Sequence, residues 1–415
     1  MAKQTELLSV DEALARLLDR FAPLGVETVA LADSLGRVLA QPITSDLNLP
    51  PFANSSMDGF ALRAADTESA SAAEPVRLDI GDVIAAGSSA GHELGARTCA
   101  RIMTGAPLPE GADAVIPFED VEEIGGRIII RTPVENGACV RPEGNDLARG
   151  TVILEPGVEI DSRKIGLMAA VGCADVPVTR KPRVAILSTG NELVPPGQPL
   201  GTGQIYNSNT PMLAAAVREA GGEPMPANAA TDDPDAIAAA LERAGDVDLL
   251  LTSGGASVGD FDYVKDVVAR GGEIGFWRVA IRPGKPLLLG SIGGRPLIGL
   301  PGNPTSSMVT FDVFVRPAIR RMLGAAEQRT RLQVVADQDI DNRGGRRTYA
   351  RVRLTMRDGT VHAVPAGGQD SAMLLTLARA DGLLVIPETQ SRLLAGESAS
   401  VELWALPRGG GPSDT

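Results

Sequence analysis

The chain has 415 residues, more than one hydrophobic core accommodates, so about two to four domains are expected. Its 39 basic and 52 acidic residues leave a net charge of −13, which argues against a general nucleic-acid or acidic-lipid binder; aromatic residues at 3% leave few platforms for stacked bases. His92 and His362 are isolated and far apart, so a Ser-His-Asp triad or a histidine zinc site has no material, and acid–base or metal work falls to Asp, Glu and Lys.

Hydrophobic residues at 44% and charged residues at 22% are ordinary for a globular protein, and 47 Gly with 30 Pro call for many turns. Cys99, Cys139 and Cys173 are widely spaced without a CxxC, which reads as reduced thiols filling small apolar sites in a cytosol. The N-terminus lacks the charged-then-apolar pattern of a signal segment, and no run approaches the ~18 apolar residues of a membrane span. A cytoplasmic protein without membrane or nucleic-acid partners is expected.

In chain order, "SVDEALARLLDRF" (9–21) opens with Ser9 three residues before Glu12, a capping box, and Leu14, Leu17, Leu18 and Phe21 share one helical face. From 46 to 148, short alternating runs such as "VRLDIGDVI" and "RIIIRTPV" between Gly, Pro and Asn-Gly predict an inserted β-rich domain. Residues 1–45 and 149–180, with helical "SRKIGLMAAVG", form the discontinuous unit that carries it.

Over 181–327, strands alternate with helices. "RVAILSTG" is a buried strand. "NTPMLAAAVREAG" is a helix capped by Asn209 or Thr210. "DDPDAIAAALERAG" is a helix with Pro234 in its first turn. "VDLLLTSGG" is a strand, "DYVKDVVARGG" a helix, and "PLIGLPGNPTSSMVTFDVFVRPAIRRML" a strand, loop and long helix. This alternation predicts a parallel sheet wrapped by helices. Period-two patterning resumes over 328–408, a small C-terminal β domain, and 409–415 reads as a disordered tail.

Ligands of open parallel sheets bind beyond the carboxyl ends of the strands. Three loops there combine Gly with Ser or Thr: "STGNEL" with Ser188, Thr189 and Gly190; "TSGGASVGD" with Ser253, Gly254, Gly255 and Ser257; and "GLPGNPTSS" with Pro301, Gly302 and Asn303. Small side chains let backbone N–H groups approach an anion. Any one such loop is more simply a turn; three on one sheet edge point to a site. Glu192, Asp232 and Asp262 lie beside these loops, and oxygen ligands without His or Cys suit Mg²⁺. Asp232 alone could equally cap the helix that follows it. "FWRVAIRPGKP" adds Arg278, Arg282 and Lys285, either a charge trap or a solvated basic turn. In the inserted domain, Asp58, Thr104, Arg141 and Asp146 stand in polar loops that say little separately.

Together, "NSSMDGFA", "IMTGAPLPEGADAV", "RPEGNDLARG", "LSTGNEL", "TSGGASVGDFDYV", "RPGKP", "GLPGNPTSS" and "GGQDSAML" make the chain resemble, over nearly its whole length, the molybdopterin molybdenumtransferase family, which includes bacterial MoeA and the E domain of gephyrin. The resemblance implies an elongated multi-domain homodimer of α/β plus β class, with a central parallel-sheet molybdopterin-binding domain, an inserted β domain and a small C-terminal β domain. It implies insertion of molybdate into adenylylated molybdopterin with Mg²⁺-dependent release of AMP. The molybdopterin adenylyltransferase and recipient molybdoenzymes are the implied partners. Asp58, Thr104 and Asp146 would reach across the dimer; Glu192, Asp232, Asp262, Arg278, Arg282 and Lys285 would line the α/β side; Arg351 and Ser371 would face the same cleft. Lys285, Arg351 and Ser371 would hold molybdate. Arg278 and Arg282 stand where Lys is common in the family, which favours anion binding over proton transfer, and Asn191 stands where Asp is frequent.

Two other readings compete. A molybdopterin adenylyltransferase, or another pterin or nucleotide enzyme, could use the same α/β module, but the inserted and C-terminal β domains argue against it. A non-catalytic gephyrin-like scaffold would need a further domain or long linker, and retention of the matching acids argues against that.

Overall fold

The computed structural model describes residues 7–227, 230–255, 263–342 and 345–406. Ser257, Asp262 and the tail over 409–415 lie outside the described residues. Three six-stranded sheets carry the architecture, joined by shorter two-stranded ladders.

The first helix spans Val10–Leu18. Ser9 Oγ accepts from the Glu12 N–H at 3.1 Å, half of the expected capping box, while the Glu12 carboxylate turns to Arg16 one helical turn on. Val10, Ala13, Leu17 and Leu18 enter the same hydrophobic core as the central sheet.

The chain then climbs into the inserted domain along an antiparallel ladder and returns down it. Ile43–Thr44 pairs with Val152–Leu154, Leu49 bridges Leu147, and Asn54–Ser55 pairs with Val140–Arg141. At its far end, Gly59–Leu62 lies between Ala114–Pro117 and Thr98–Ile102 in a six-stranded sheet. Phe60, Leu62, Leu78, Ile128 and Ile130 give this domain its own core.

In the central domain, Arg183–Ser188 is flanked in parallel by Glu223–Pro226 and Leu249–Ser253, and Leu249–Ser253 by Arg295–Leu300. The parallel arrangement expected from the alternation is therefore limited to four strands. Gly272–Trp277 and Leu288–Ile292 complete one edge in antiparallel fashion. Gly293 and Gly294, with φ of +56° and +77°, turn Leu288–Ile292 straight back into Arg295–Leu300, a two-residue hairpin that needs the left-handed region twice. The last helical segment runs from Pro304–Thr310 through a π turn, Phe311–Val315, into Arg316–Met322.

The C-terminal domain is a closed barrel. Arg347–Arg357 pairs with both Thr360–Pro365 and Gly382–Ile386; Arg331–Ala336 and Ser398–Leu403 close the ring. Ile281–Arg282 of the central domain adds to it in parallel beside Arg347–Thr348. That pairing fixes the central and C-terminal domains side by side and puts Arg282 at their seam.

Candidate active site

The sheet pairing brings three strand exits to one edge. Ser188 is in register with Ser253, and Ser253 with Leu300. The Thr189 N–H donates to Ser253 O at 3.1 Å and the Gly254 N–H to Leu300 O at 3.2 Å, so each exit is tied to the next. Gly254 and Gly255 have φ of +92° and +66°. A Cβ at Gly254 would stand 2.8 Å from Thr189 O, and one at Gly255 would stand 2.6 Å from the Val264 side chain. The small residues are thus required twice, by backbone conformation and by closeness.

Helix Asn209–Glu219 fastens the exits from behind. The expected cap at Asn209 or Thr210 is corrected: Ser208 holds the cap position without a side-chain cap bond, and Asn207 Oδ1 accepts from the Thr210 N–H at 3.1 Å. Asn209 is thereby free to donate Nδ2 to Ser253 Oγ at 2.8 Å and to Gly302 O at 2.7 Å. Thr210 Oγ1 meets Ser188 Oγ at 2.8 Å. One helical turn therefore holds all three loops.

Opposite these loops, the C-terminal domain contributes the segment around Ser371. Asn303 Nδ2 donates to Ser371 Oγ at 2.8 Å and the Thr305 N–H to Ser371 O at 3.2 Å. Between the two domains lies a cleft of about 1000 Å³ lined by Thr189, Gly190, Glu192, Asp232, Ser253, Gly254, Gly255, Arg282, Lys285, Pro301, Gly302, Asn303 and Ser371.

Arg282 and Lys285 sit on the hairpin that follows Trp277, whose ends are closed by Arg278 N–H to Leu287 O at 3.2 Å and Val279 N–H to Lys285 O at 3.0 Å. A third cation in the lining, Arg346, comes from the barrel. Arg278 is placed elsewhere: its guanidinium carbon stands 4.3 Å from the Trp277 ring centroid, shared with Lys265 Nζ at 3.8 Å, and it does not line the cleft. The expectation that Arg278 lines the cleft is not what the structure places.

Arg351 is also not in the lining. It is fully buried. Its guanidinium donates to Gly368 O and Asp370 O, each at 3.0 Å, and to Thr376 Oγ1 at 3.2 Å. Burial pushes the group down to about 10, so it stays charged at neutral pH. Nη2 serves the carbonyls of the Ser371 loop and Nε the Thr376 hydroxyl, while Nη1 is buried without a partner among the described residues.

Glu192 and Asp232 lie in the same cleft. Asp233 is the residue that caps helix Pro234–Arg243, through Oδ1 to the Ala236 N–H at 2.8 Å. Asp232 is released from that task. It exchanges hydrogen bonds with Asn191, whose N–H donates to Asp232 Oδ2 and whose Oδ1 accepts the Asp232 N–H, both at 3.2 Å. Among the described residues no group of three or more His, Cys, Asp or Glu could hold a metal ion. Two carboxylates in a cleft fit a Mg²⁺ that keeps waters and takes its other oxygens from a phosphate.

Asp58, Thr104 and Asp146 are exposed and do not line this cleft. Asp58 Oδ1 accepts from the Thr104 N–H at 2.7 Å and from its hydroxyl at 2.9 Å, bonds that hold the carboxyl below its usual range. Gly105 N–H to Ser55 O at 2.8 Å draws the Asp58 and Thr104 loops together, and the Asp146 N–H donates to Leu49 O at 2.9 Å.

Sequence reasoning missed Asn207, Asn209, Arg346 and Gln369, all of which line the cleft. The first two were hidden as ordinary helix-start residues in "NSNTP". Arg346 was hidden in the basic turn "RRTY", whose approach to the cleft depends on the pairing of Ile281–Arg282 with Arg347–Thr348.

A family model described as the MoeA N-terminal region (domain I and II) matches residues 8–172, one described as a probable molybdopterin binding domain matches 185–321, and one described as the MoeA C-terminal region (domain IV) matches 333–404. A Mycobacterium tuberculosis protein named molybdopterin molybdenumtransferase 2 is 41% identical over 387 residues, covering 91% of this chain and 95% of the relative. A Bacillus subtilis molybdopterin molybdenumtransferase is 36% identical over 410 residues, covering 97% and 95%. A crystal structure of a molybdopterin biosynthesis MoeA protein from Pyrococcus horikoshii OT3 superposes with a TM-score of 0.83 at 29% identity, covering 96% of this chain and 100% of that one.

Proposed function

The chain belongs to the molybdopterin molybdenumtransferase family, and from that premise we propose that it inserts molybdate at the dithiolene of adenylylated molybdopterin and releases AMP. The observation that carries this reading is the meeting of three glycine-lined strand exits, Lys285, Arg282 and Ser371 in one cleft. The chemistry brings together a molybdate dianion and a pyrophosphate ester. Cations and backbone N–H groups in a partly dry cleft offset that repulsion. Cleavage of the phosphoanhydride asks for positioning and charge stabilisation more than for a strong base, which suits a cleft of carboxylates and cations.

In this reading Lys285, Arg282 and Ser371 hold molybdate, and the strand-exit loops hold the adenylylated pterin. Arg346 adds positive charge beside Arg282. Arg351 acts on molybdate through the loop that carries Ser371. Glu192 and Asp232, with Asp262, hold a Mg²⁺ that, when bound, neutralises charge on the pyrophosphate oxygens. Asp58, Thr104 and Asp146 serve the cleft of a second protomer in a homodimer; their exposure away from the cleft of their own chain supports this. Three free cysteines suit a cytoplasmic enzyme placed between a molybdopterin adenylyltransferase and the recipient molybdoenzymes.

The test is incubation with adenylylated molybdopterin, Mg²⁺ and molybdate, following AMP. Release that depends on molybdate is expected; release of equal size without molybdate, or none with it, overturns the reading. A mixture of an Asp58→Asn chain and a Lys285→Ala chain tests the dimer: activity regained on mixing supports shared sites, and activity that stays absent rejects them.

A further inference from the structure

A second cavity, of about 450 Å³, adjoins the cleft and has mostly apolar walls: Met212, Met308, Leu374, Leu377 and Trp404. Ser208 and Leu374 line both spaces, so the two are neighbours. Met373 and Leu375, on either side of Leu374 in the chain, are 44% and 62% exposed. Apolar surface gathered in this way marks a site of association.

The cavity keeps its shape through a buried charge. Asp312 lies in the π turn Phe311–Val315 and is 3% exposed. It accepts from Trp404 Nε1 at 2.8 Å and from Arg329 Nε at 2.6 and 2.8 Å, and both donors belong to the cavity wall. A π turn is rare and recurs at functional sites, and a buried ion pair contributes little net stability. Holding Trp404 and Arg329 in place accounts for both.

A strip of the inserted domain is the counterpart. Residues 49–58 are pinned on both sides by backbone bonds. Leu49 O and Pro50 O accept from the Asp146 and Gly144 N–H groups, each at 2.9 Å, and Ala53 O and Ser55 O from those of Leu108 and Gly105, at 3.0 and 2.8 Å. Phe52 and Met57 stand out from this strip, 43% and 39% exposed. Phe52 is the one exposed phenylalanine among the described residues. Met57 directly precedes Asp58, and adjacent Cα atoms are about 3.8 Å apart. Any cleft that the Asp58 carboxylate of a second protomer enters therefore has that protomer's Met57 at its edge. Among the described residues, the lining balances Arg282, Lys285 and Arg346 against Glu192, Asp232 and Asp370, so an incoming carboxylate meets no net negative charge.

We propose that the cavity walled by Met212, Met308, Leu377 and Trp404 receives Phe52 and Met57 of a second copy of this chain, and that this apolar anchor registers Asp58 over the cleft. The inference rests on the shared-cleft reading above and adds to it the contact that positions the two protomers. Large apolar side chains seated in a preformed pocket carry much of the affinity of an interface. Here they also set the geometry, because the anchor and the carboxylate lie on one pinned strip.

The test uses the full-length chain. Met57→Cys and Leu375→Cys are combined in one chain and treated with a short bismaleimide. A covalent dimer is expected from this double variant and not from either single variant or the parent. Phe52→Asp changes a side chain that is exposed in the free chain, so its Tm is expected to match that of the parent. It is expected to weaken self-association in sedimentation by about ten-fold or more, and to lower AMP release at a fixed low protein concentration. Phe52→Leu is expected to keep most of both. A parent that dimerises while the double variant gives no cross-link, or unchanged self-association in Phe52→Asp, overturns the docking and leaves the shared cleft to the mixing experiment. A parent that stays monomeric and still releases AMP overturns the docking and the shared cleft together. Absence of AMP release by a parent whose double variant cross-links overturns the proposed chemistry and supports the docking.

Discussion

Asn303 and Ser371, 68 residues apart in the chain, are joined by a 2.8 Å hydrogen bond from Nδ2 to Oγ that crosses the seam between the central sheet and the C-terminal barrel. Ser371 lines the cleft together with Pro301, Gly302 and Asn303. If Ser371 contacts molybdate, Ser371→Ala raises the molybdate concentration for half-maximal AMP release by about ten-fold, the value of one hydrogen bond to an anion. Asn303→Ala keeps the hydroxyl but frees it, so a smaller rise is expected. Equal half-saturation in the parent and Ser371→Ala refutes the contact.

Glu192 and Asp232 share the cleft although 40 residues separate them in the chain. Glu192→Gln and Asp232→Asn keep the size and most hydrogen bonding of each side chain but remove its charge. Each is expected to raise the Mg²⁺ concentration for half-maximal AMP release by about ten-fold or more, since Mg²⁺ holds few protein carboxylates and loses one of them. Asp262→Asn belongs to the same series. The check is a Mg²⁺ titration of AMP release at saturating molybdate; a curve unchanged in all three variants removes the metal assignment.

Much of the site was legible because its features are local. An apolar run that ends in Gly beside Ser or Thr marks a strand exit wherever it occurs, and chain order alone placed three of them on one sheet edge. Identity of caps was less legible. Pattern reading treats any Asn or Thr before a helix as the cap, but in "NSNTP" Asn207 accepts the Thr210 N–H, while Asn209 is engaged by Ser253 at a strand end and by Gly302 in the loop after another strand. Arg351 and Arg278 were misplaced for a related reason. The charge of a side chain is visible in sequence, but its partner is not: Arg351 reaches carbonyls of its own domain through Nη2 and Arg278 lies over Trp277. Both partners are set by packing between elements.

Asp248 sets a pH dependence at the start of the site's first strand. Burial pushes its carboxyl up, but hydrogen bonds from Arg180, at 2.7 and 2.9 Å, and from the Arg183 N–H, at 2.7 Å, outweigh this and hold it below the usual carboxylate range. A carboxyl lowered in the folded state contributes stability above its unfolded value of about 3.9 and loses it as pH falls through the folded value. Asp248→Asn is therefore expected to cost about 1–3 kcal/mol at pH 7, and the difference in Tm from the parent to shrink below about pH 4. Tm measured from pH 7 to 3 checks this; a constant difference across that range sinks it.

Arg351 offers the sharpest separation of two roles, contact with molybdate and support of the Ser371 loop. Its guanidinium reaches Gly368 O, Asp370 O and Thr376 Oγ1 at once, a fork that a single ammonium cannot reproduce. If the arginine touched molybdate, Arg351→Lys would keep the charge and much of the affinity, whereas Arg351→Met would lose both. If it supports the loop, the two variants behave alike. Both leave the carbonyls of Gly368 and Asp370 short of donors, lower Tm by several degrees, and raise the half-saturating molybdate concentration by a similar factor. Adding Ser371→Ala to Arg351→Met then changes molybdate dependence little, because the hydroxyl is already misplaced. We expect this second pattern, read from thermal melts and molybdate titrations of the two single variants and the double; retention of affinity by Arg351→Lys alone would restore the direct contact.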